Sequence, residues 1–548
     1  MKVLLINPPL SFPRTIYSSL PILAGQLHYR GCETTSLDLN VSFLKYILSV
    51  EHLKKTQQEV LKLYKKGLEN IEYKNYIENI LINNASVLEN LMMSSNDLYT
   101  EMIKEPFTEE KEEKFYYALS LSFLPFFPSK IELSLGSSPA LLERNITYKN
   151  TYECLIEKCS NKKENIYFEF FEKEIKKIEQ EDYDVIGITI PFETNLYPAL
   201  TLSKMLKERI NSKIVLGGIL INSTIESYIE HPDMLETFAD SFLIGEGERS
   251  FLDYIKYLEG KISIEEVDGL ICVKEGKLYK NKMARISNYN EIKRPSYKGI
   301  NFDDYCRKLV RLEFSKGCYW GKCAYCYANL QKRYYIADPK WAADTIQEIV
   351  NKYSVEEFSF LDDSLNINFA DKLADEIIKR NLKIEYSAFF RFEKNIDKKF
   401  LEKQKKAGLK FVFWGLESAS PRILELMNKG IDIANVERIL KLTHELGINS
   451  DLGVMFGFPT ETKEDVMTTV KFLKKNDKYI RNTNHFYFTL LKSSGLIHNK
   501  DKFKITKTLD LEPFSDYLLH NGPCIPRREL YELLLKNGIR GLPIYSKW

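Results

Sequence analysis

Short apolar runs alternate with helical periodicity at the start of the chain, and this pattern predicts a parallel α/β sheet. Residues 2–6 are an apolar run stopped by an asparagine and two prolines, residues 19–30 have the pattern of a helix, and a second strand is expected near 34–38. Parallel strands need a crossover between them, so a strand–helix–strand order is typical of such a sheet.

The alternation breaks off and later resumes. Residues 41–180 are mostly helical in character, whereas buried strands are predicted at 184–190, 213–216 and 240–244, with helices between them. We therefore expect residues 1–290 to form a doubly wound, Rossmann-like domain that carries a helical insertion at about 41–180.

A second alternation begins near residue 309. The strands are expected at 311–314, 357–361, 384–390, 410–414, 451–456 and about 484–489, and the helices at roughly 339–353, 369–380, 397–407, 433–446 and 463–474. This pattern predicts a partial (β/α)6 barrel over 291–500, followed by a C-terminal extension of mixed character over 501–548.

Composition narrows the class of protein but not its activity. The 548 residues are 44% hydrophobic and 28% charged, with a formal net charge of +2. Enough apolar material is present for large cores, and the near-neutral balance argues against a general nucleic-acid surface. No apolar stretch reaches the ~18 residues that a spanning helix needs, and the N-terminus lacks the apolar core and cleavage site of an export signal. We therefore expect no membrane span and a cytoplasmic location.

The cysteines supply the first chemical signal. Nine cysteines in this length are too few for a disulfide scaffold, but Cys318, Cys323 and Cys326 fall together in a C-x4-C-x2-C pattern directly after a predicted strand. Three thiolates on one loop can hold three corners of an iron–sulfur cubane and leave the fourth iron open. A zinc site is the alternative, but it needs four ligands, and no His or Cys occurs between 327 and 443.

Further polar and glycine motifs follow the predicted barrel strands in order. They are Asp362, Asp363 and Ser364 after the second strand, Arg391 after the third, Glu417 and Ser418 after the fourth, and Gly453 and Gly457 at the fifth. Structural roles are alternatives for most of them. The aspartates could cap a helix, Glu417 could be a buried ion-pair partner, and the glycines could serve close packing.

The strand, the cysteine loop, the partial barrel and these motifs together resemble the radical S-adenosylmethionine (SAM) superfamily over about 310–490. The resemblance implies that the three cysteines hold a [4Fe–4S] cluster and that the motif residues after the later strands bind SAM. The usual spacing in this family is C-x3-C-x2-C, so the chain has one extra residue in the first gap. We interpret that residue as a bulge of the loop.

The order of front domain and barrel resembles the cobalamin-binding branch of the same superfamily. The resemblance implies that cobalamin lies over the strand ends of the front domain, facing the cluster. The residues implied in binding it are Asn7, Pro8, Pro9, Thr189, Pro191, Gly217, Gly218, Gly245 and Glu246. Many cobalamin domains have a D-x-H-x-x-G motif whose histidine binds cobalt, and this chain lacks it. His28 has part of the spacing but is interpreted as an ordinary helix-end histidine.

The resemblance implies a radical SAM enzyme that cleaves SAM to a 5′-deoxyadenosyl radical. The activity it favours is that of a cobalamin-dependent methyltransferase acting on an unactivated carbon of a peptide or natural product. Two alternatives are a cobalamin-free radical enzyme whose front domain binds substrate, and a non-enzymatic iron–sulfur or zinc protein. The implied partners are the substrate and an electron donor such as flavodoxin or ferredoxin. The sequence pattern assigns neither a catalytic residue nor a particular substrate.

Overall fold

The structure, a computed structural model, describes residues 1–65, 98–104, 151–328, 333–510 and 513–539, with single helical positions between 74 and 123. The chain divides into two compact units. The first consists of Met1–Ile286, Ile292–Arg307 and Glu512–Ser515, and the second of Ser287–Glu291, Lys308–Leu511 and Asp516–Trp548.

A seven-stranded sheet forms the centre of the first unit. Its strands are β1 (Lys2–Asn7), β2 (Glu33–Asp38), β3 (Val185–Thr189), β4 (Lys213–Gly217), β5 (Ser241–Leu243), β6 (Leu270–Lys274) and β7 (Lys277–Lys280). The spatial order is β2-β1-β3-β4-β5-β6-β7, in which β1 to β5 pair in parallel and β6 and β7 antiparallel. The strand order reverses between β1 and β3, and doubly wound sheets bind ligands at the carboxyl ends of strands at this point.

Helices cover the sheet and form the described part of the insertion. They are α1 (Ser19–Tyr29), α2 (Leu39–Ile47), α3 (Val50–Lys65), α4 (Leu98–Ile103), α5 (Tyr152–Ser160), α6 (Tyr167–Ile178), α7 (Glu193–Arg209), α8 (Ile219–Ile229), α9 (Pro232–Phe238) and α10 (Gly247–Leu258). The doubly wound fold and the helical insertion are thereby confirmed, although much of the predicted insertion lies outside the described residues. Among the helices that the structure describes, none is long and apolar enough to cross a membrane.

Helices α1 and α10 bury one face of the central strands of the first unit. Val3, Leu5 and Val185 are buried in one cluster with side chains of α1 and α10. Gly187 lies on β3 at a point where a Cβ atom would be 2.9 Å from the ring of Phe251. The missing side chain therefore lets α10 pack directly on the sheet.

The antiparallel hairpin β6–β7 extends this sheet beyond the strands that the sequence pattern predicts. Its turn residues Glu275 and Gly276 have φ angles of 53° and 73°. Two successive residues with positive φ are the signature of a type I′ hairpin turn. Strand β7 is short and rich in lysine, so it lacks the apolar alternation that identifies a strand in sequence.

A six-stranded parallel sheet forms the partial barrel of the second unit. The strands of this part are β8 (Leu309–Leu312), β9 (Ser315–Lys316), β10 (Tyr335–Ile336), β11 (Glu357–Phe360), β12 (Glu385–Phe390), β13 (Leu409–Glu417), β14 (Asn449–Phe456) and β15 (Asn482–Tyr487). The barrel order β8-β11-β12-β13-β14-β15 follows the sequence, and every neighbouring pair is parallel. This confirms the predicted (β/α)6 arrangement. The first strand covers Leu309–Leu312 instead of 311–314, and Ser315 and Lys316 form a separate strand that pairs antiparallel with β10.

Most of the barrel helices begin at a side-chain cap. The helices of the second unit are α11 (Pro339–Tyr353), α12 (Ile367–Lys379), α13 (Lys398–Lys406), α14 (Pro421–Leu426), α15 (Ile433–Glu445), α16 (Lys463–Asn476) and α17 (Arg527–Lys536). The caps, each accepting a hydrogen bond from a backbone N–H of the first turn, are Asp338, Asn366, Asp397, Ser420 and Thr462. Such caps fix where each helix begins after the carboxyl end of its strand.

The C-terminal extension has a structure of its own. Strands β16 (Leu490–Leu491), β17 (Thr508–Leu509) and β18 (Tyr517–His520) form a small antiparallel sheet, and α17 follows it. Apolar residues beyond β15, including Phe488 and Phe503, are buried in one cluster with Ile423 and Phe458 of the barrel. Phe503 of the extension is therefore part of the core of the second unit, whereas Glu512–Ser515 belong to the first unit.

Candidate functional site

The three clustered cysteines lie on the loop that follows β9. Cys323 is buried, Cys318 and Cys326 are partly exposed, and none of them forms a disulfide. Gly317, at a φ of 81°, makes the turn into the loop, and a Cβ atom there would be 2.2 Å from the carbonyl oxygen of Arg333. Only glycine fits such a turn. The loop therefore presents three free thiols in a short, tightly folded segment.

The buried environment of these thiols is compatible with a role as metal ligands. Burial raises the pKa of Cys326 to about 12, and burial also raises the pKa of Cys323, where Lys429 and Arg391 partly offset the effect. Such thiols stay protonated until an electropositive centre stabilises the thiolate. In the part of the chain that the structure describes, no three His, Cys, Asp or Glu side chains converge to hold one ion. A cubane needs no such convergence, because each cysteine binds a different iron atom.

Asp362 joins the end of β11 to the root of the cysteine loop. Its side chain is 1% exposed, and Oδ1 accepts hydrogen bonds from the Phe314 backbone N–H (3.2 Å) and the Ser315 hydroxyl (2.5 Å). Burial raises the pKa of this carboxyl to about 7, and Oδ2 has no hydrogen-bond partner. A buried oxygen without a hydrogen-bond partner destabilises the fold unless it binds a proton or a ligand. This orphaned oxygen fits the predicted role of Asp362 in binding SAM.

The helix-cap alternative is wrong for both aspartates, because Asn366 is the residue that caps α12. Asp363 accepts a hydrogen bond from the Tyr327 hydroxyl instead, and Ser364 is buried. Direct contact of these two side chains with SAM stays a prediction.

Glu417 forms a buried ion pair, which is the structural role that the sequence offered as the alternative for this residue. Its Oε1 lies 2.8 Å from Nζ of Lys429, and the two side chains are 14% and 8% exposed. A Cβ atom on Gly415 would be 2.7 Å from that Nζ atom, so the glycine leaves room for the ends of the paired side chains. The same Nζ atom lies 3.3 Å from the Tyr325 hydroxyl on the cysteine loop. Lys429 therefore connects Glu417 to the loop, a role that no sequence motif indicated.

Ser418 and Arg391 belong to hydrogen-bond networks of the barrel. The Ser418 hydroxyl contacts Oγ1 of Thr469 (3.2 Å) and accepts from the Ser420 backbone N–H. Arg391 donates from Nε to Glu393 (3.1 Å) and from Nη2 to a backbone carbonyl of the loop after α14. Binding of SAM by either residue stays a prediction.

The two fifth-strand glycines differ. Gly453 serves close packing, because a Cβ atom there would be 3.1 Å from the ring of Phe413. Gly457 is open, since a Cβ atom would have only Leu530 within 4 Å. The backbone N–H of Gly457 donates to Oε2 of Glu461 at 2.5 Å. Burial raises the pKa of Glu461 to about 8, and its Oε1 has no partner. Glu461 was not predicted, although it lies only four positions beyond Gly457.

The loops implied in cobalamin binding meet at the carboxyl edge of the first unit's sheet. The Pro8 carbonyl accepts a hydrogen bond from Nδ2 of Asn195 (3.2 Å), which joins the loop after β1 to the first turn of α7. Gly218 has a φ of 119°, and a Cβ atom there would be 2.5 Å from the carbonyl oxygen of Ile190. The loop after β4 therefore packs closely against the loop after β3.

The other residues implied in cobalamin binding are at this edge or beside it. They are Asn7, Pro9, Thr189, Pro191, Gly217, Gly245 and Glu246. Several have structural contacts: the Asn7 amide donates to Asp38 (3.0 Å), and the Glu246 carboxylate accepts from the Ile286 backbone N–H. Their contact with a ligand stays a prediction.

Two large apolar side chains are exposed at the same edge. Phe192, after β3, is 55% exposed, and Ile219, after β4, is 59% exposed. The Phe192 ring contacts the ring of Tyr17 edge-on, with centroids 6.1 Å apart. These two side chains leave apolar surface exposed at the edge where a doubly wound sheet binds its ligand.

His28 lies in the last turn of α1, and its Nε2 is 3.4 Å from the Thr34 carbonyl oxygen. This confirms the interpretation of His28 as a helix-end histidine.

Comparison with known proteins agrees with this architecture. A family model described as the radical SAM superfamily matches residues 312–473. An uncharacterized methyltransferase of Pyrococcus horikoshii is 30% identical over 329 residues, which cover 57% of this chain and 68% of the relative. The chain belongs to the radical SAM superfamily. As a radical SAM protein, it has a [4Fe–4S] cluster and SAM as its cofactors.

More distant similarities extend to the front unit. The anaerobic magnesium-protoporphyrin IX monomethyl ester cyclase of Cereibacter sphaeroides is 25% identical over 315 residues, and the match spans 55% of this chain and 50% of the cyclase. The structure of the radical SAM methyltransferase TsrM from Kitasatospora setae, with cobalamin and a [4Fe–4S] cluster bound, superposes with a TM-score of 0.56 at 15% identity. That superposition covers 90% of this chain and 76% of TsrM. At this identity the likeness concerns the fold alone.

Proposed function

We propose that this radical SAM protein is a cobalamin-dependent methyltransferase that acts on an unactivated carbon of a peptide or natural product. The proposal rests on two candidate sites that occur in one chain. A three-cysteine loop begins the barrel of the second unit, and exposed apolar side chains border the ligand edge of the first unit's sheet. The methyltransferase relative and the cobalamin-containing neighbour support the same function.

In the barrel, Cys318, Cys323 and Cys326 would hold the cluster. When bound, the cluster supplies the electron that splits SAM into methionine and a 5′-deoxyadenosyl radical. Oδ2 of Asp362, which has no hydrogen-bond partner, would accept a hydrogen bond from the ammonium group of SAM. Gly457 leaves open space beside the backbone, where a flat base can approach.

In the first unit, cobalamin would serve as the methyl carrier. Phe192 and Ile219 would supply apolar contacts to the macrocycle, and the loop after β1 would border it. The loops after β1, β3 and β4 contain no histidine. These loops would therefore hold the ligand by surface contact without an imidazole bond to cobalt.

The experiment compares cobalt and iron in matched variants. The protein is reconstituted anaerobically with iron, sulfide and hydroxocobalamin and then desalted. A Phe192→Glu/Ile219→Glu variant should lose most of its cobalt but keep its iron, because only the apolar surface is changed. Leu278→Glu is the control, since Leu278 is also exposed (37%) but lies on β7 at the sheet edge. An unmodified protein that binds iron without cobalt would overturn the cobalamin proposal in favour of the cobalamin-free enzyme.

The proposed reaction also requires an electron source and a suitable compartment. Flavodoxin or ferredoxin would reduce the cluster. A reducing cytoplasm would protect it, because a cluster with an open iron is sensitive to oxygen. Methyl-labelled SAM and candidate substrates test the transfer. Release of 5′-deoxyadenosine without labelled product, for every substrate tried, would favour radical rearrangement or cyclisation.

A further inference from the structure

Consecutive residues after α14 contact the cysteine loop, and we call the segment Met427–Gly430 the clamp. The Met427 carbonyl accepts a hydrogen bond from the Ala324 backbone N–H at 2.9 Å. The Asn428 carbonyl accepts one from Nε1 of Trp320, also at 2.9 Å. The clamp therefore holds the cysteine loop at two points, the backbone of Ala324 and the indole of Trp320.

The indole of Trp320 is fixed by further contacts. A Cβ atom on Gly430 would lie 2.2 Å from the Trp320 ring, so the ring rests directly on the backbone of the clamp. The guanidinium of Arg391 lies 4.3 Å from the ring centroid, and its Nη2 donates to the Lys429 carbonyl at 2.6 Å. A cation at this distance attracts the face of an indole. Trp320 is thus held by the clamp and by an arginine that the clamp itself positions.

Trp320 lies in the part of the loop that has the extra residue. The gap between Cys318 and Cys323 contains four residues, among them Trp320 and Gly321, which has a φ of 56°. A longer gap gives the two cysteines more freedom relative to each other, because a longer loop has more conformations to lose on closure. The indole contacts remove that freedom at the middle of the gap.

We propose that the clamp, acting through Trp320, fixes the extended gap of the cysteine loop and thereby sets the geometry and reduction potential of the cluster. The inference rests on the assignment of the three cysteines as cluster ligands. Hydrogen bonds and packing around ligand thiolates orient them and tune the potential of an iron–sulfur cluster. Trp320 and Gly430 are positioning residues, since neither has an atom that binds iron in this arrangement.

The experiment uses a pair of glycine variants in the full chain. Gly430→Ala would displace the Trp320 ring. Gly447→Ala is the matched control, because Gly447 has a φ of 65° against 68° for Gly430, but a Cβ atom there would have only Lys405 Nζ within 4 Å, at 3.6 Å. Both variants bear the same backbone strain at positive φ, and only one of them disturbs the loop.

The readouts are independent of methyl transfer. After anaerobic reconstitution, Gly430→Ala should release iron to a chelator about 10-fold faster than Gly447→Ala, which corresponds to the lower end of the roughly 10–100-fold loss of metal affinity expected when residues around a metal ligand are disturbed. Its reduced cluster should also show a shifted midpoint potential and a changed electron paramagnetic resonance spectrum. Trp320→Phe, which keeps a ring but loses the Nε1 donor, should shift the potential in the same direction by less, with Trp341→Phe on α11 as its control.

The outcomes separate this inference from the cluster assignment. If the unmodified protein binds no iron, the cluster assignment fails and the clamp inference fails with it. If the unmodified protein holds a cluster but Gly430→Ala and Trp320→Phe match their controls in iron release, potential and spectrum, only the clamp is overturned.

Discussion

The buried ion pair between Glu417 and Lys429 gives a stability prediction that needs no cofactor. Lys429→Met keeps the length of the side chain but removes its charge. The pair is separated by 2.8 Å and its side chains are only 14% and 8% exposed, so Glu417 would be left charged and nearly buried. Removing one partner of a buried pair costs about 3–5 kcal/mol. A domain of this size loses about 2–4 °C per kcal/mol, so the second unit should melt roughly 6–20 °C lower.

Calorimetry of the anaerobic apo-protein measures this effect, because it can resolve separate transitions of the two units. Lys399→Met is the control, since Lys399 is exposed on α13, and a change there should stay within about 0.5 kcal/mol. The double variant Glu417→Gln/Lys429→Met should be more stable than Lys429→Met alone, because it leaves no unpaired charge. The reasoning is refuted if Lys429→Met behaves like the control, or if the second substitution destabilises the protein further.

Two further predictions concern single buried positions. Burial raises the pKa of Asp362 from its ordinary 3.8 to about 7. The folded protein therefore binds this proton more tightly than the unfolded chain does. The resulting contribution to stability is complete below pH 3.8 and is lost as the pH rises through about 7. Asp362→Asn should accordingly flatten the pH dependence of the free energy of unfolding of the apo-protein between pH 4 and 7, measured with urea, and an unchanged slope would contradict the argument. Gly187→Ala should destabilise the first unit by about 1–3 kcal/mol through overpacking, because the new Cβ atom would meet the Phe251 ring. Only the calorimetric transition of that unit should move, and an unchanged transition would show that α10 can shift away at little cost.

The barrel could be predicted from sequence because its signals are local. Each strand is a short apolar run, and helix starts carry cap residues such as Asp338 and Thr462. The cysteine loop was equally clear, since its three ligands are close together in the chain. The hairpin β6–β7 and the small C-terminal sheet were missed because their strands are short and lack the apolar alternation that identifies a strand in sequence.

The finer chemistry of the site depends on contacts that sequence spacing does not reveal. Asp362 and Asp363 are adjacent, yet only Asp362 is buried with an unpartnered oxygen. Lys429 reaches both Glu417 and the cysteine loop because the segment after α14 is hydrogen-bonded to that loop. Long polar side chains find their partners through tertiary structure, so such pairs follow from the fold rather than from a motif.

The most direct test of the account is metal analysis after anaerobic reconstitution with iron, sulfide and hydroxocobalamin. The account predicts about four irons and one cobalt per chain. The triple variant Cys318→Ala/Cys323→Ala/Cys326→Ala should lose the iron and keep the cobalt, whereas Cys524→Ala, a cysteine of the same unit outside the loop, should keep both. Iron retained by the triple variant, or absent from the unmodified protein, would contradict the central claim.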